Sequence, residues 1–154
     1  MSRTIRYIDY SEVLKVYRKM IDASGGGLEL TNPIRDEGGI RATLDFMQND
    51  DYYPTFTDKL TDLVFKFCAG HYFCDGNKRI ALTLGAYFLY KNDYPWHAFI
   101  FMKQFEAIVY HIAASHIDQD LFLRITTAFM KGEDYDESLK IDIAHAMGGG
   151  QEYN

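Results

Sequence analysis

Cysteine is scarce in this chain: of 154 residues only Cys68 and Cys74 carry a thiol. Two cysteines build no disulfide framework, and their spacing around His71 fits no usual zinc site, so both read as buried or half-buried free thiols. Positive charge is short as well. Sixteen Lys and Arg stand against 22 Asp and Glu, a net charge of −6 with a pI near 5.3. That balance argues against nucleic acid, whose phosphate backbone requires a basic face. No apolar run approaches the ~20 residues that cross a bilayer, and the opening MSRTIRYIDY lacks the apolar segment of a signal peptide. The expectation is a cytoplasmic protein with no membrane partner. Three familiar nucleotide signatures are missing too: G-x-x-x-x-G-K-[ST], G-x-G-x-x-G after a strand, and the H-R-D and D-F-G elements of protein kinases.

What is present is apolar and periodic. A hydrophobic content of 47% at this length supports a real core, and the expected organisation is a single domain over 1–147 with a flexible tail at 148–154. Aromatics make up 16% of the chain and fall mostly at helical spacing, so they read as core packing rather than base stacking. Ser11 is placed to cap a first helix, SEVLKVYRKMIDA, with Val13, Leu14, Tyr17, Met20 and Ile21 on one stripe. LELTNPIRDEGG then reads as an extended loop or weak hairpin. Helices are expected around IRATLDFMQ and from near Thr57 through Cys68, ending just before His71. IALTLGAYFLYKND is apolar on most faces and should form a buried central helix. PWHAFIFMKQFEAIVYHIAAS, DQDLFLRITTAFMKG and DYDESLKIDIAHAM give up to three more, the second capped by Asp118 and ended at Gly132. The fold expected is all-α.

Between two of these helices lies HYFCDGNKR, residues 71–79. Its two cations fall in the first turn of the central helix, where the macrodipole is already positive, a conflict of about 0.3–1 kcal/mol per charge. A bound anion would remove it, because helix N-termini hold phosphates through free backbone N–H groups. Each residue also has an ordinary reading. A lone histidine is more often structural, yet His71 at a loop has the near-neutral pKa of a general base. Asp75 before a helix is a favoured N-cap, and equally a carboxylate able to hold Mg²⁺ beside phosphate oxygens. Gly76 permits close backbone approach, Asn77 offers an amide, Lys78 and Arg79 offer charge-assisted hydrogen bonds, and Phe73 is suited to anchoring the loop. Their joint occurrence favours the functional reading.

H-x-F-x-D-G-N-K-R opening an apolar helix resembles the signature of the Fic/Doc superfamily, specifically its death-on-curing (Doc-like) branch. The similarity extends from residue 5 to about 130, including GGLEL and IRDEGGIRATL. The resemblance implies a compact helical bundle with a small β-hairpin flap near 27–36, ATP and Mg²⁺ as co-substrates, and modification of a hydroxyl on a target protein. By position it makes His71 the base, Phe73 the anchor, Asp75 the metal ligand, and Gly76, Asn77, Lys78 and Arg79 the phosphate cradle. The nucleotidylating Fic branch usually reads H-P-F-x-[DE]-G-N-G-R-x-x-R. Here Tyr72, Lys78 and Leu82 replace its proline, second glycine and last arginine. The lysine resembles the Doc-like phosphotransferases and points to transfer of the γ-phosphoryl group, with AMP transfer as the alternative and a catalytically weak peptide-binding module as a third reading. No [ST]-x-x-x-E-[GN] inhibitory helix is found, so control is expected from an antitoxin. A translation factor such as elongation factor Tu is the target that the resemblance suggests.

Overall fold

The computed structural model describes residues 4–24 and 32–149, which form eight α-helices and no strand. They are α1 (Tyr10–Ser24), α2 (Glu37–Phe46), α3 (Phe56–Ala69), α4 (Asn77–Lys91), α5 (Pro95–Gln104), α6 (Glu106–Ala113), α7 (Gln119–Lys131) and α8 (Glu137–Ala144), followed by a last turn over His145–Gly149. Half of the hairpin flap expected near 27–36, residues 27–31, lies outside the described residues, as do residues 25 and 26 and positions 150–154. What is described of the flap region is a single antiparallel bridge between Ile34 and Phe73.

α4 is the central helix, packed against α1, α3, α5 and α6. Ile80, Ala81, Leu84, Phe88 and Leu89 are all fully buried. At Gly85 the neighbours come so close that a side-chain carbon would sit 2.6 Å from the Phe101 ring and 2.7 Å from Val64. Only a bare Cα admits α3 and α5 together there.

Two boundaries differ from expectation. The cap of α1 is Asp9, not Ser11: Asp9 Oδ1 accepts from the Glu12 N–H at 2.8 Å and Glu12 Oε1 accepts from the Asp9 N–H, a reciprocal capping box. PWHAFIFMKQFEAIVYHIAAS gives two helices rather than one, broken at Phe105 without glycine or proline. The Phe105 ring is fully buried against Phe101, Phe122 and Phe129, so tertiary packing sets the break. α3 starts near Thr57 as expected, at Phe56 under a Thr55–Asp58 capping box. Asp118 and Gly132 cap and end α7 as expected.

Lys59 is the largest polar side chain in the interior. Its ammonium donates to the Met47 carbonyl at 2.9 Å, just past the end of α2, and to Asp50 Oδ1 at 2.8 Å. Burial pulls its pKa down, but Asp50 and Tyr7 together outweigh this and hold it above the ordinary lysine value. Because Asp50 is 79% exposed, it returns to water when the lysine is removed, and the residual cost is an orphaned carbonyl. Lys59→Met is therefore expected to cost about 1–3 kcal/mol in urea denaturation, and Lys59→Ala more because it also opens a cavity.

A polar cluster ties α1 to the far end of α4, where Glu12 accepts from both Lys91 and Tyr87. Burial pushes the Glu12 carboxyl up, yet these two hydrogen bonds outweigh it and hold it below its ordinary 4.5. The same bond, with burial, pushes the Tyr87 phenol from 10.0 up to about 12. Linkage fixes the signs. Glu12 contributes stability above pH 4.5 that is lost as pH falls through its folded pKa; Tyr87 contributes below pH 10.0 and loses it as pH climbs toward about 12. Glu12→Gln is expected to flatten both arms of the stability–pH curve, measured by denaturation from about pH 3 to about pH 11.

Candidate active site

The loop from Gly70 to Gly76 joins α3 to α4 and is pinned from three directions. Tyr72 is nearly buried, and its hydroxyl shares a 2.7 Å hydrogen bond with Thr43 Oγ1. Two glycines make room for its ring, since a side-chain carbon at Gly39 or Gly70 would lie 2.6 or 2.5 Å from Tyr72 Cε1. The Tyr72 carbonyl accepts from the N–H groups of Arg35 and Asp36 at 2.8 and 3.0 Å. Asp36 in turn caps α2.

Phe73 points the opposite way, as alternation in an extended segment requires. It is fully buried and stacked on Tyr17 of α1, with centroids 4.2 Å apart. Tyr17 does more than pack: its hydroxyl donates to the Asp75 carbonyl at 3.1 Å. Burial raises the Tyr17 pKa, and Asp75 raises it further, so the hydroxyl keeps its proton for this bond. The third restraint is Asn77. Its Oδ1 accepts from the Phe73 N–H at 3.0 Å and its Nδ2 donates to the Phe73 carbonyl at 2.9 Å. The amide is thus committed to the loop, which leaves Asn77 its backbone N–H for a ligand.

Gly76, not Asp75, is the N-cap residue of α4. It sits at φ +79°, a left-handed conformation natural to glycine, and no side chain caps the helix. The first-turn N–H groups accordingly have no side-chain acceptor, and the Asp75 carboxylate is exposed and not used as a cap. Lys78 and Arg79 are exposed beside them.

Asp75, Gly76, Asn77, Lys78 and Arg79 form one wall of a cleft of about 710 Å³ whose opposite wall carries Lys103, Glu106 and Tyr110 from the α5–α6 region. Nothing in the sequence flagged those three, which lie about 25–35 residues from the motif. A cavity of similar size, about 700 Å³ between α5 and residues 129–135, contains no motif residue. His71 and Phe73 do not line the cleft. His71 is exposed at φ +52°, an uncommon conformation for a non-glycine residue that histidine tolerates better than most. The thiols divide: Cys74 is exposed, contrary to expectation, whereas Cys68 is buried and donates to the Val109 carbonyl at 3.0 Å. Burial pushes Cys68 up to about 11, against a smaller opposing pull from Lys78, so it is a neutral thiol and no nucleophile. Among the described residues no group of three or more His, Cys, Asp or Glu side chains converges to hold a metal.

The family model described as the Fic/DOC family matches residues 7–89, just over half the chain. The chain belongs to the Fic/DOC family. The match begins ahead of α1 and ends inside α4, so it takes in the whole loop and each of the three restraints on it. Members of the Fic/DOC family are protein-modifying transferases that move nucleotide-derived groups. No curated protein matches the chain at a significant level. Within the family assignment, α5–α8 lie beyond the matched segment, and with them the wall of the cleft that faces the motif. No helix among the described residues is long and apolar enough to cross a membrane.

Proposed function

We propose that this Fic/DOC protein transfers the γ-phosphoryl group of ATP to a serine, threonine or tyrosine hydroxyl of a target protein. The observation that carries the reading is the convergence of Lys78, Arg79 and the uncapped first turn of α4 on one cleft. Gly76 leaves its floor open and the α4 N–H groups lack side-chain acceptors, so the residues fit a polyphosphate. Lys78 and Arg79 would hold its oxygens by charge-assisted hydrogen bonds. Asp75, with a free and exposed carboxylate, would hold Mg²⁺, which supplies positive charge to the phosphates.

To His71, exposed on the same loop but not part of the cleft wall, we assign the part of the base. Its exposed ring takes the proton of the incoming hydroxyl as the new O–P bond forms and the bond to the β-phosphate breaks, releasing ADP. Asn77, Phe73 and Tyr17 keep the loop in place while charge develops. Lys78 favours γ-transfer: where the AMP-transferring pattern has glycine, a side chain takes up space and its ammonium grips the phosphates from a displaced pose. The Doc-like resemblance further supports a toxin acting on a translation factor and held in check by an antitoxin.

ATP labelled at the α or the γ position separates the products. Incubated with Mg²⁺ and purified elongation factor, the wild-type protein is expected to pass γ label and no α label to the factor. Label from the α position would make the protein an AMP transferase instead. Lys78→Gly in parallel is expected to reduce γ-transfer, since phosphoryl transfer depends on which phosphorus lies in line with the held hydroxyl.

A further inference from the structure

A third cavity, of about 490 Å³, shares no lining residue with the nucleotide cleft. It lies between α2, the loop after it and α3, and its walls are aromatic: Phe46, Tyr52, Tyr53 and Tyr72. Asp62 lines it from α3, only 1% exposed. Asp62 Oδ1 accepts from Gln119 Nε2 at 3.0 Å and pairs with Lys66 Nζ at 3.3 Å. Asp62 Oδ2 is buried and has no hydrogen-bond partner among the described residues. Tyr53 is near enough that its phenol is raised, first by burial, then by the Asp62 charge and a hydrogen-bonding pull from that carboxyl, but its hydroxyl stays outside full hydrogen-bond geometry and leaves Oδ2 unsatisfied.

A buried carboxylate oxygen without a donor is costly and rare enough to need a cause. We propose that the cavity binds a guanidinium group, the arginine side chain of a partner polypeptide. The vacant acceptor calls for an N–H donor, and the aromatic walls suit a flat, weakly hydrated cation that stacks on ring faces. A compact ammonium suits them less well, and Lys66 already supplies one at Oδ1. Lys66 is 44% exposed, so it has solvent to withdraw into as the second cation enters. The excess of acidic residues over the whole chain favours a cationic guest. Tyr72 directly follows His71, so an arginine held here places its own polypeptide beside the base. That this polypeptide is the acceptor of phosphoryl transfer rests on the reading proposed above; the binding does not.

The test uses the full chain without nucleotide, so failed binding and failed transfer are read separately. Tyrosine-labelled protein is titrated by NMR with an N- and C-blocked Gly-Arg-Gly peptide, its Gly-Lys-Gly counterpart and free ethylguanidinium. Saturable shifts of the Tyr52, Tyr53 and Tyr72 signals are expected with the arginine peptide, and Asp62→Asn is expected to weaken its binding about tenfold or more. Tyr52 is 74% exposed, so Tyr52→Ala should weaken binding with the melting temperature unchanged, and it decides the matter if Asp62→Asn does not fold. The site is overturned if no saturable shift occurs, if folded Asp62→Asn or Tyr52→Ala binds like wild type, or if the lysine peptide binds equally well. Ethylguanidinium binding as tightly as the arginine peptide would overturn the polypeptide assignment in favour of a small free cation.

Discussion

His71→Ala is expected to lose transfer by ~10²–10⁴-fold while its melting temperature stays within about a degree of wild type, because the ring is exposed and general-base removal acts on the rate alone. Relief of the left-handed strain does not enter, since alanine at φ +52° is no better placed than histidine. The measurement pairs γ-label transfer with calorimetry on the same preparation. Retained activity would remove His71 from the mechanism. A fall in stability instead would show that the ring holds the loop together.

Phe73→Ala is expected to behave in the opposite sense. Its side chain is fully buried, stacked on Tyr17, and its backbone carries both hydrogen bonds of the Asn77 amide. Losing the ring should cost about 3–5 kcal/mol and lower the melting temperature on the order of 10 °C. Activity should fall with it even at temperatures where the chain stays folded, because Tyr17 loses the surface that aims its hydroxyl at Asp75. Phe73→Leu, closer in volume, should recover most of the stability and only part of the rate. Unchanged melting of Phe73→Ala would contradict the burial.

The helices that position the site were legible because their signals are local. α4 follows from a stretch that is apolar on most faces, α7 from Asp118 and Gly132, and the loop from nine adjacent residues. The features that escaped depend on partners far along the chain. Tyr17 reads as one more member of an apolar stripe, and nothing near it shows that its hydroxyl reaches the carbonyl of Asp75, 58 positions on. Phe105 carries no breaker, and only the rings of α5 and α7 around it explain why the helix stops there. The Asp9–Glu12 box was visible in principle, but Ser11 is an equally good cap type and stands closer to the apolar stripe. Lys103, Glu106 and Tyr110 reach the cleft only through the packing of α4 on α5 and α6.

The N-terminal segment grips α4 at both ends: Tyr17 at its start, and Glu12, with Arg6 hydrogen-bonded to Asn92 and Lys91, at its finish. During synthesis Glu12 and Arg6 must wait for partners made 79 and 86 positions later, and Tyr17 for one 58 positions on. A ribosome that has released the whole HYFCDGNKR stretch but not Lys91 and Asn92 has made every residue of the motif and only half of the clasp that sets it. Such long-range closure is late in folding, since the entropy of closing the intervening chain precedes any reward from the contact. Chain termination before Asn92 should therefore yield a product that carries the whole motif and the three restraints on its loop, with the far end of α4 left unclasped from the N-terminal segment.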